Sequence, residues 1–277
     1  LPTDHSGARL GGNYKENMSK MPTLLEMLKA GVHFGHQKSR WHPKMEKFIF
    51  GARNGVHIID LEKTQEQLEK ALNYVKNLAA KGQVILFVGT KRQARSIIKE
   101  AAEKCEMPYL VERWIGGLLT NFEEVKRRLK KYHNLKEQFA GGEIEKYTKK
   151  EQVTMKKQLE KMDKYLMGLT KLEKMPDAVY IADMRTEKTA LAETERTEMP
   201  TVAVCDTNVN PEKVNYAIPA NDDAVNSIKM IADLISEAVN EGRKEFEKKK
   251  LERAKEEPVK HDAAKVERRA VRKEGSV

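Results

Sequence analysis

The chain reads as a three-layer α/β domain with a parallel sheet and an inserted helical hairpin, and three observations predict it. Short apolar runs recur at 56–59, 84–88, 109–111, 178–181, 201–204 and 216–218. Several are unbroken, as expected of strands buried on both faces of a parallel sheet. Helix-period segments alternate with these runs, which is how parallel strands are connected. Residues 121–175 then interrupt the alternation with a polar, helix-favouring stretch poor in glycine.

Each element has its own signal. Leu68, Leu72, Val75 and Ala79 share one helix face, and Gly82 follows as a stop. Ala94, Ile97, Ile98 and Ala101 form the next stripe. Asn221 is placed to cap a helix through Val225, Ile228, Ile231 and Ile235 that ends near Gly242. Within the insertion, Val125, Leu129, Tyr132, Leu135 and Phe139 line a first arm, and Gly141 and Gly142 break it. Thr148 with Glu151 three residues later is a capping-box signature for a second arm carrying Leu159, Met162, Leu166 and Leu169. Two such stripes joined by a turn predict an antiparallel coiled-coil pair. An arm of about 24 residues spans roughly 36 Å. A core of about 170 residues has a radius of gyration near 15 Å, so the hairpin lies across the surface or projects from it.

Three regions follow. Residues 1–20 lack apolar periodicity and read as a disordered leader, with Met18 or Met21 as plausible starts. Residues 21–242 hold the α/β domain with its insertion at 121–175. Residues 243–277 form a Lys/Arg/Glu tail, disordered or frayed-helical.

Composition narrows the function. Charged residues make up 34% and hydrophobic residues 39%, with 52 Lys+Arg against 42 Asp+Glu for a net +10. The run at 84–88 is the longest apolar one, far short of the roughly 20 residues of a membrane span. Cys105 and Cys205 are too few for a disulfide framework or a four-thiolate zinc site, so a cytosolic setting is expected. The basic excess points to a polyanion partner. Its distribution is uneven: +6 in 21–120, +6 in the insertion, −8 in 176–242, +5 in the tail and +1 in the leader. The two globular stretches nearly cancel, so the net basicity belongs to the appendages.

Several motifs combine cations with aromatic rings. Residues 31–45 hold Lys38, Arg40, Trp41, His42 and Lys44, groups that neutralise phosphates or stack on bases. Arg53, Arg113, Trp114 and Asn121 extend the candidate RNA-binding set, and so do Lys126, Arg127, Lys130 and Lys131 on the first arm. The 113–117 segment reads equally as a structural joint, with Gly116 and Gly117 allowing a sharp turn. His33 and His36 suggest a metal, but no adjacent Cys or carboxylate completes a site.

Gly89, Thr90, Lys91, Arg92 and Arg95 follow a strand and open a helix, a place that favours an anion. Neither G-x-x-x-x-G-K-S/T nor G-x-G-x-x-G is present, so Lys91, Arg92 and Arg95 are read as RNA contacts before nucleotide ligands. Asp183 and Asp206 each follow an apolar run, at the carboxyl edge where ligands of open α/β sheets gather. They either share a divalent cation or serve as caps and loop acceptors. No cofactor is otherwise required, and no nucleophile, acid or base constellation is present.

The run from Leu28 to His36 (LKAGVHFGH), Trp41 to Met45 (WHPKM) and Phe48 to Asn54 (FIFGARN) closely resemble the bacterial small-subunit ribosomal protein S-two family. So do ILFVGTKR at 85–92, RWIGG at 113–117, LTN at 119–121, PDA at 176–178, VCDTN at 204–208 and IPANDDA at 218–224. The likeness spans residues 21–242, and the insertion resembles the bacterial and organellar branch. The resemblance implies a flavodoxin-like domain without enzymatic activity or small-molecule substrate, cytoplasmic within the small ribosomal subunit. It implies binding to small-subunit ribosomal RNA on the solvent side near the head–body junction. It also implies contact with neighbouring subunit proteins and with ribosomal protein S-one, for which the acidic stretch 176–242 is the candidate surface. The loop after Asp183 departs from the family's Asp/His-rich pattern by carrying Arg185 and Lys188. A nucleotide-using enzyme built on the 84–91 turn is the rival of another class. A membrane-surface protein acting through the tail is a third reading, although 243–277 show little sustained apolar face.

Overall fold

The computed structural model describes residues 21–274; the leader expected at 1–20 lies outside the described residues. The first helix, α1 (Leu24–Ala30), opens on a capping box between Thr23 and Glu26. Three short strands follow it, β1 (Phe34–Gln37), β2 (Ile49–Arg53) and β3 (Val56–Ile59), paired antiparallel in the order β1-β3-β2. The run at 56–59, grouped above with the parallel strands, therefore belongs to a second sheet. Asn54 and Gly55 at φ 51° and 78° make the tight turn between β2 and β3. This Asn-Gly pair is the strongest short hairpin signal a sequence offers.

The main sheet is built from β4 (Ile85–Val88), β5 (Tyr109–Leu110), β6 (Ala178–Ile181), β7 (Thr201–Cys205) and β8 (Tyr216–Pro219). Its order is β5-β4-β6-β7-β8, and every pair is parallel. Counted within this sheet the order is 2-1-3-4-5, the doubly wound flavodoxin-like arrangement, with its switch point between β4 and β6. Alternate residues bury on opposite faces, as the pleat requires. Ile85, Phe87, Tyr180 and Val204 meet α2 (Leu61–Ala79), α3 (Arg95–Lys104) and α7 (Val225–Glu274). Leu86, Val88, Ile181 and Ala203 meet α6 (Lys188–Arg196) and the base of the insertion.

The insertion forms the expected pair of helices, α4 (Phe122–Ala140) and α5 (Lys149–Leu166), joined through the turn at Gly141 and Gly142. Val125, Leu129, Tyr132 and Leu135 of α4 are buried, and the Thr148–Glu151 capping box opens α5. The Tyr132 hydroxyl donates to Asp163, which pins one arm to the other.

One helix boundary differs from its sequence expectation. The last helix does not end near Gly242 but continues to Glu274. Glycine is needed there for a close crossing and not for a stop. A Cβ at Gly242 would lie 2.3 Å from the Lys76 carbonyl oxygen and 2.7 Å from the Ala79 Cβ. Beyond the crossing, Phe246 covers Gly82, Lys76 pairs with Glu241 and Glu245, and Arg243 donates to the Cys105 carbonyl. The start of the charged tail is thus packed onto α2 and the end of α3.

Two effects of opposite sign meet at this position. Alanine in a helix interior is favoured over glycine by roughly 1 kcal/mol, whereas overpacking costs about 1–3 kcal/mol. The clash involves backbone and a Cβ, which cannot rotate away, so Gly242→Ala is expected to lower stability by about 1 kcal/mol or more. Chemical denaturation of the two proteins checks the sign; a more stable variant would show that the crossing is loose.

Candidate nucleic-acid interface

At the carboxyl edge of the sheet, four strand ends bring charge together. Lys91 follows β4 and its ammonium lies 2.7 Å from Asp222, 2.8 Å from Asp223 and 3.3 Å from Asp183. The Asp183 carboxylate also accepts from the amides of Arg185 and Thr186 and from the Thr186 hydroxyl. Burial pushes Asp183 up, but the Thr186 hydroxyl, Lys91 and these amides hold it below the usual carboxylate range. Burial, with Asp183 and Asp206 nearby, pushes Asp222 up to about 7 against the pull of Lys91. The same carboxylates keep Lys91 charged against the effect of its own burial.

Asp206 sits at the end of β7, one strand from Asp183, as expected. Its carboxylate faces a different neighbour, the His36 Nδ1 at 3.1 Å, and this close contact raises the histidine's pKa. Among the described residues His36, Asp206 and Asp222 bring side-chain donor atoms within 4.8 Å of one another. The positive group that lies against Asp183, however, is the Lys91 ammonium. Asp183 also acts as a loop acceptor, which was the other reading of that position.

The phosphate-loop-like turn is likewise satisfied from within. The Thr90 amide donates to the Glu187 carboxylate at 2.7 Å. An anion favoured at this helix entrance is thus supplied by the chain itself.

The loop that leads into the hairpin depends on a residue whose importance the sequence conceals. Glu193, 9% exposed in α6, accepts from the Trp114 Nε1 at 2.9 Å and from the amides of Gly117, Leu119 and Thr120 at 2.8, 3.1 and 3.4 Å. Burial would push this carboxyl up, but the Trp114 bond and the three amides hold it below the usual range. Trp114 is 7% exposed. It is the structural joint of the 113–117 motif, with its indole held by Glu193 and little of its ring left at the cleft beside Arg113.

Other candidates face outward. Lys38, Arg40, Arg53, Arg92, Arg113 and Asn121 are exposed, as are Lys126, Arg127, Lys130 and Lys131 along α4. The four α4 cations lie away from the stripe of Val125, Leu129 and Tyr132, which is turned to the core. Trp41 is half-buried with its ring 5.2 Å from that of His57, and His42 accepts from the Lys44 amide. Lys44 is paired with Glu212, and Arg95 donates to Glu112 at 3.1 Å. The structure adds a group the sequence did not single out. Arg128, Lys161 and Tyr165 line a cleft of about 670 Å³ with Arg113, between the loop and the hairpin base. Their signal was available: Arg128 and Lys161 flank the apolar stripes of the two arms.

A rule emerges for the acidic stretch 176–242. Nearly every carboxylate in it is engaged by the chain: Asp177 with the Val84 amide, Glu195 with Lys213, Asp233 with Lys104 and Glu241 with Lys76, besides those above. Its acids hold loops and helices together, while cations elsewhere project.

The family model described as Ribosomal protein S2 matches residues 27–242. The chain is 49% identical over 221 residues to the small ribosomal subunit protein uS2 of Coprothermobacter proteolyticus, covering 80% of this chain and 82% of that protein. It is 46% identical over 225 residues to the small ribosomal subunit protein uS2 of Helicobacter hepaticus, covering 81% and 85%. Among the described residues no helix is long and apolar enough to cross a membrane.

Glu193 supplies the test of the joint. Hydrogen bonds to a charged acceptor contribute about 1.5–3 kcal/mol each, and Gln in its place would turn an NH₂ toward amide donors. Glu193→Gln is expected to destabilise the fold by on the order of 3 kcal/mol near neutral pH. A depressed carboxylate pKa contributes stability above the unfolded value, lost as pH falls through the folded one. The gap between wild type and variant should therefore close below about pH 4.5. Thermal melts across pH check both features; a gap independent of pH would mean that the carboxylate's charge is not what holds the loop.

Proposed function

Because the chain belongs to the ribosomal protein S2 family, we propose that it is a structural, non-enzymatic constituent of the small ribosomal subunit that binds small-subunit ribosomal RNA through its outward cations. The observation that supports this reading is the pairing of charge: most acids of 176–242 are engaged by groups of the chain, while the cations of the hairpin and several loops project to solvent. Lys126, Arg127, Lys130 and Lys131 form the principal RNA face, continued by Arg113, Arg128 and Lys161 at the hairpin base. Lys38, Arg40, Arg53 and Arg92 make a second group of phosphate contacts. Trp114 and Lys91 are left out of this set because their polar groups are bound inside the protein. The protein sits on the solvent side of the cytoplasmic subunit near the head–body junction, where the projecting hairpin reaches RNA that the core does not touch.

Docking of ribosomal protein S-one is part of this reading, and beside the acidic stretch 176–242 the chain offers an apolar surface for it. Leu24, Leu25 and Leu28 on α1 are 40%, 69% and 48% exposed, and Phe34 and Val225 nearby are 50% and 51% exposed. An apolar patch of this kind is what a protein partner covers. It makes no phosphate contact, so protein and RNA can be held at once.

Phosphate-driven binding releases counterions, and its affinity falls steeply with salt. Full-length protein should bind purified small-subunit ribosomal RNA with such a dependence. Replacing Lys126, Arg127, Lys130 and Lys131 by Ala should reduce the slope of log affinity against log salt by about 3. Replacing Lys248, Lys249, Lys250 and Lys255 in the tail should reduce it much less. Equal losses from the two sets would reduce the hairpin to one part of a diffuse basic surface.

A further inference from the structure

We infer that the cleft at the carboxyl end of β6 and β7 is a second RNA-binding site, one that grips backbone phosphate and reads an adjacent ribose or base edge. It lies inside the segment whose net charge of −8 argues against such a role. The cleft, about 590 Å³, is lined by Arg40 and His42 from the turn after β1, Arg185 and Lys188 from the loop into α6, and Asn208 and Lys213 from the loop after β7. No carboxylate lines it. The 183–188 loop turns its acids inward, Asp183 to Lys91 and Glu187 to Thr90. The same loop leaves Arg185 and Lys188 exposed.

Arg40, Arg185 and Lys188 have no ion-pair partner among the described residues, and Lys213 has one at 3.5 Å, the exposed Glu195. Cations of one sign converging on a concave, apolar-floored wall focus potential, and the arginine forks match phosphate oxygens bidentately. Leu191 and Val209 supply the apolar floor.

Asn208 narrows the class of ligand beyond a simple anion. Its side-chain Nδ2 and Oδ1 are both buried without a hydrogen-bond partner among the described residues. An amide left so is an exception that calls for an explanation. It presents a donor and an acceptor together, which a bare phosphate cannot satisfy. A ribose 2′-hydroxyl, or a base edge, satisfies both. An RNA strand passing through the cleft provides phosphate for the cations and sugar or base for the amide. An acidic protein segment offers carboxylates to the cations and a backbone amide to Asn208, but it has no 2′-hydroxyl, so loss of Asn208 would not then alter a preference for RNA over DNA.

This site rests on the RNA-binding reading above, and the experiment separates the two. The full chain is titrated with purified small-subunit ribosomal RNA over a salt series as wild type, R185A/K188A, R185K and N208A. Removing two phosphate contacts should lower the salt slope by about 1.4–1.8, with R185K keeping nearly the wild-type slope. N208A should weaken RNA binding at unchanged slope and narrow the preference for RNA over single-stranded DNA of the same sequence. A steep wild-type slope that R185A/K188A leaves intact overturns the cleft alone and points to an acidic protein segment there. A flat wild-type slope overturns the RNA-binding reading itself. Circular dichroism of each variant, all at exposed or loop positions, verifies that a lost slope is not a lost fold.

Discussion

A carboxylate withdrawn from water must find a partner, and much of this fold is organised by how its acids meet that requirement. An unpaired buried charge costs several kcal/mol, so each one dictates what stands beside it. Glu193 gathers one indole and three amides, and in doing so shapes the loop from which the hairpin departs. Asp183, Asp222 and Asp223 surround Lys91, fastening the ends of β4, β6 and β8 at the sheet's switch point. Asp206 holds His36, which ties the small antiparallel sheet to the large parallel one. These pairs are worth little as net stabilisation compared with an apolar core, but removing one member leaves the other stranded. Their effect is geometric: they fix where the loops lie.

Charge sorting follows from the same constraint. Acids that satisfy loops and helices keep their charge but are held close to a donor or cation of the chain, and the cations not needed for this are free to face solvent. Segment charge is therefore a poor guide to surface charge. The stretch 176–242 is strongly acidic by count, yet Arg185, Lys188 and Lys213 project from it around a single cleft. The hairpin carries its positive charge more simply, on the α4 surface away from its apolar stripe. Between these regions the Arg113 loop, held by Glu193, adds a cationic edge at the hairpin base.

The parallel strands, the helix stripes and both arms of the insertion were legible in the sequence because each is a local pattern. An apolar run, a 3-4 spacing or a Thr-x-x-Glu box declares itself within a few residues. The strands β1 and β2 do not, since FGHQ and IFGAR are short, interrupted by glycine and only partly buried. The local mark of this sheet is the Asn54–Gly55 turn between β2 and β3. Gly242 looked like a stop because a sequence does not reveal that another helix crosses there. The candidate RNA residues share a chemistry that the sequence alone does not sort by direction. Lys91 and Trp114 carry the chemistry of RNA contact, yet their partners lie 131 and 79 residues away in the chain. Glu193 was invisible for the same reason: as one glutamate in an amphipathic helix, it has no local mark of burial.

The most direct measurement is a cryo-electron microscopy map of small ribosomal subunits containing this chain. Ribosomal RNA phosphates should lie within ion-pair reach of Lys126 and Lys130 on the hairpin and of Arg185 and Lys188 in the cleft. Lys91 should remain among Asp183, Asp222 and Asp223, and Glu193 under the 113–120 loop. A map in which the hairpin and cleft cations face solvent, while RNA approaches through the carboxylates of 176–242, would contradict the account.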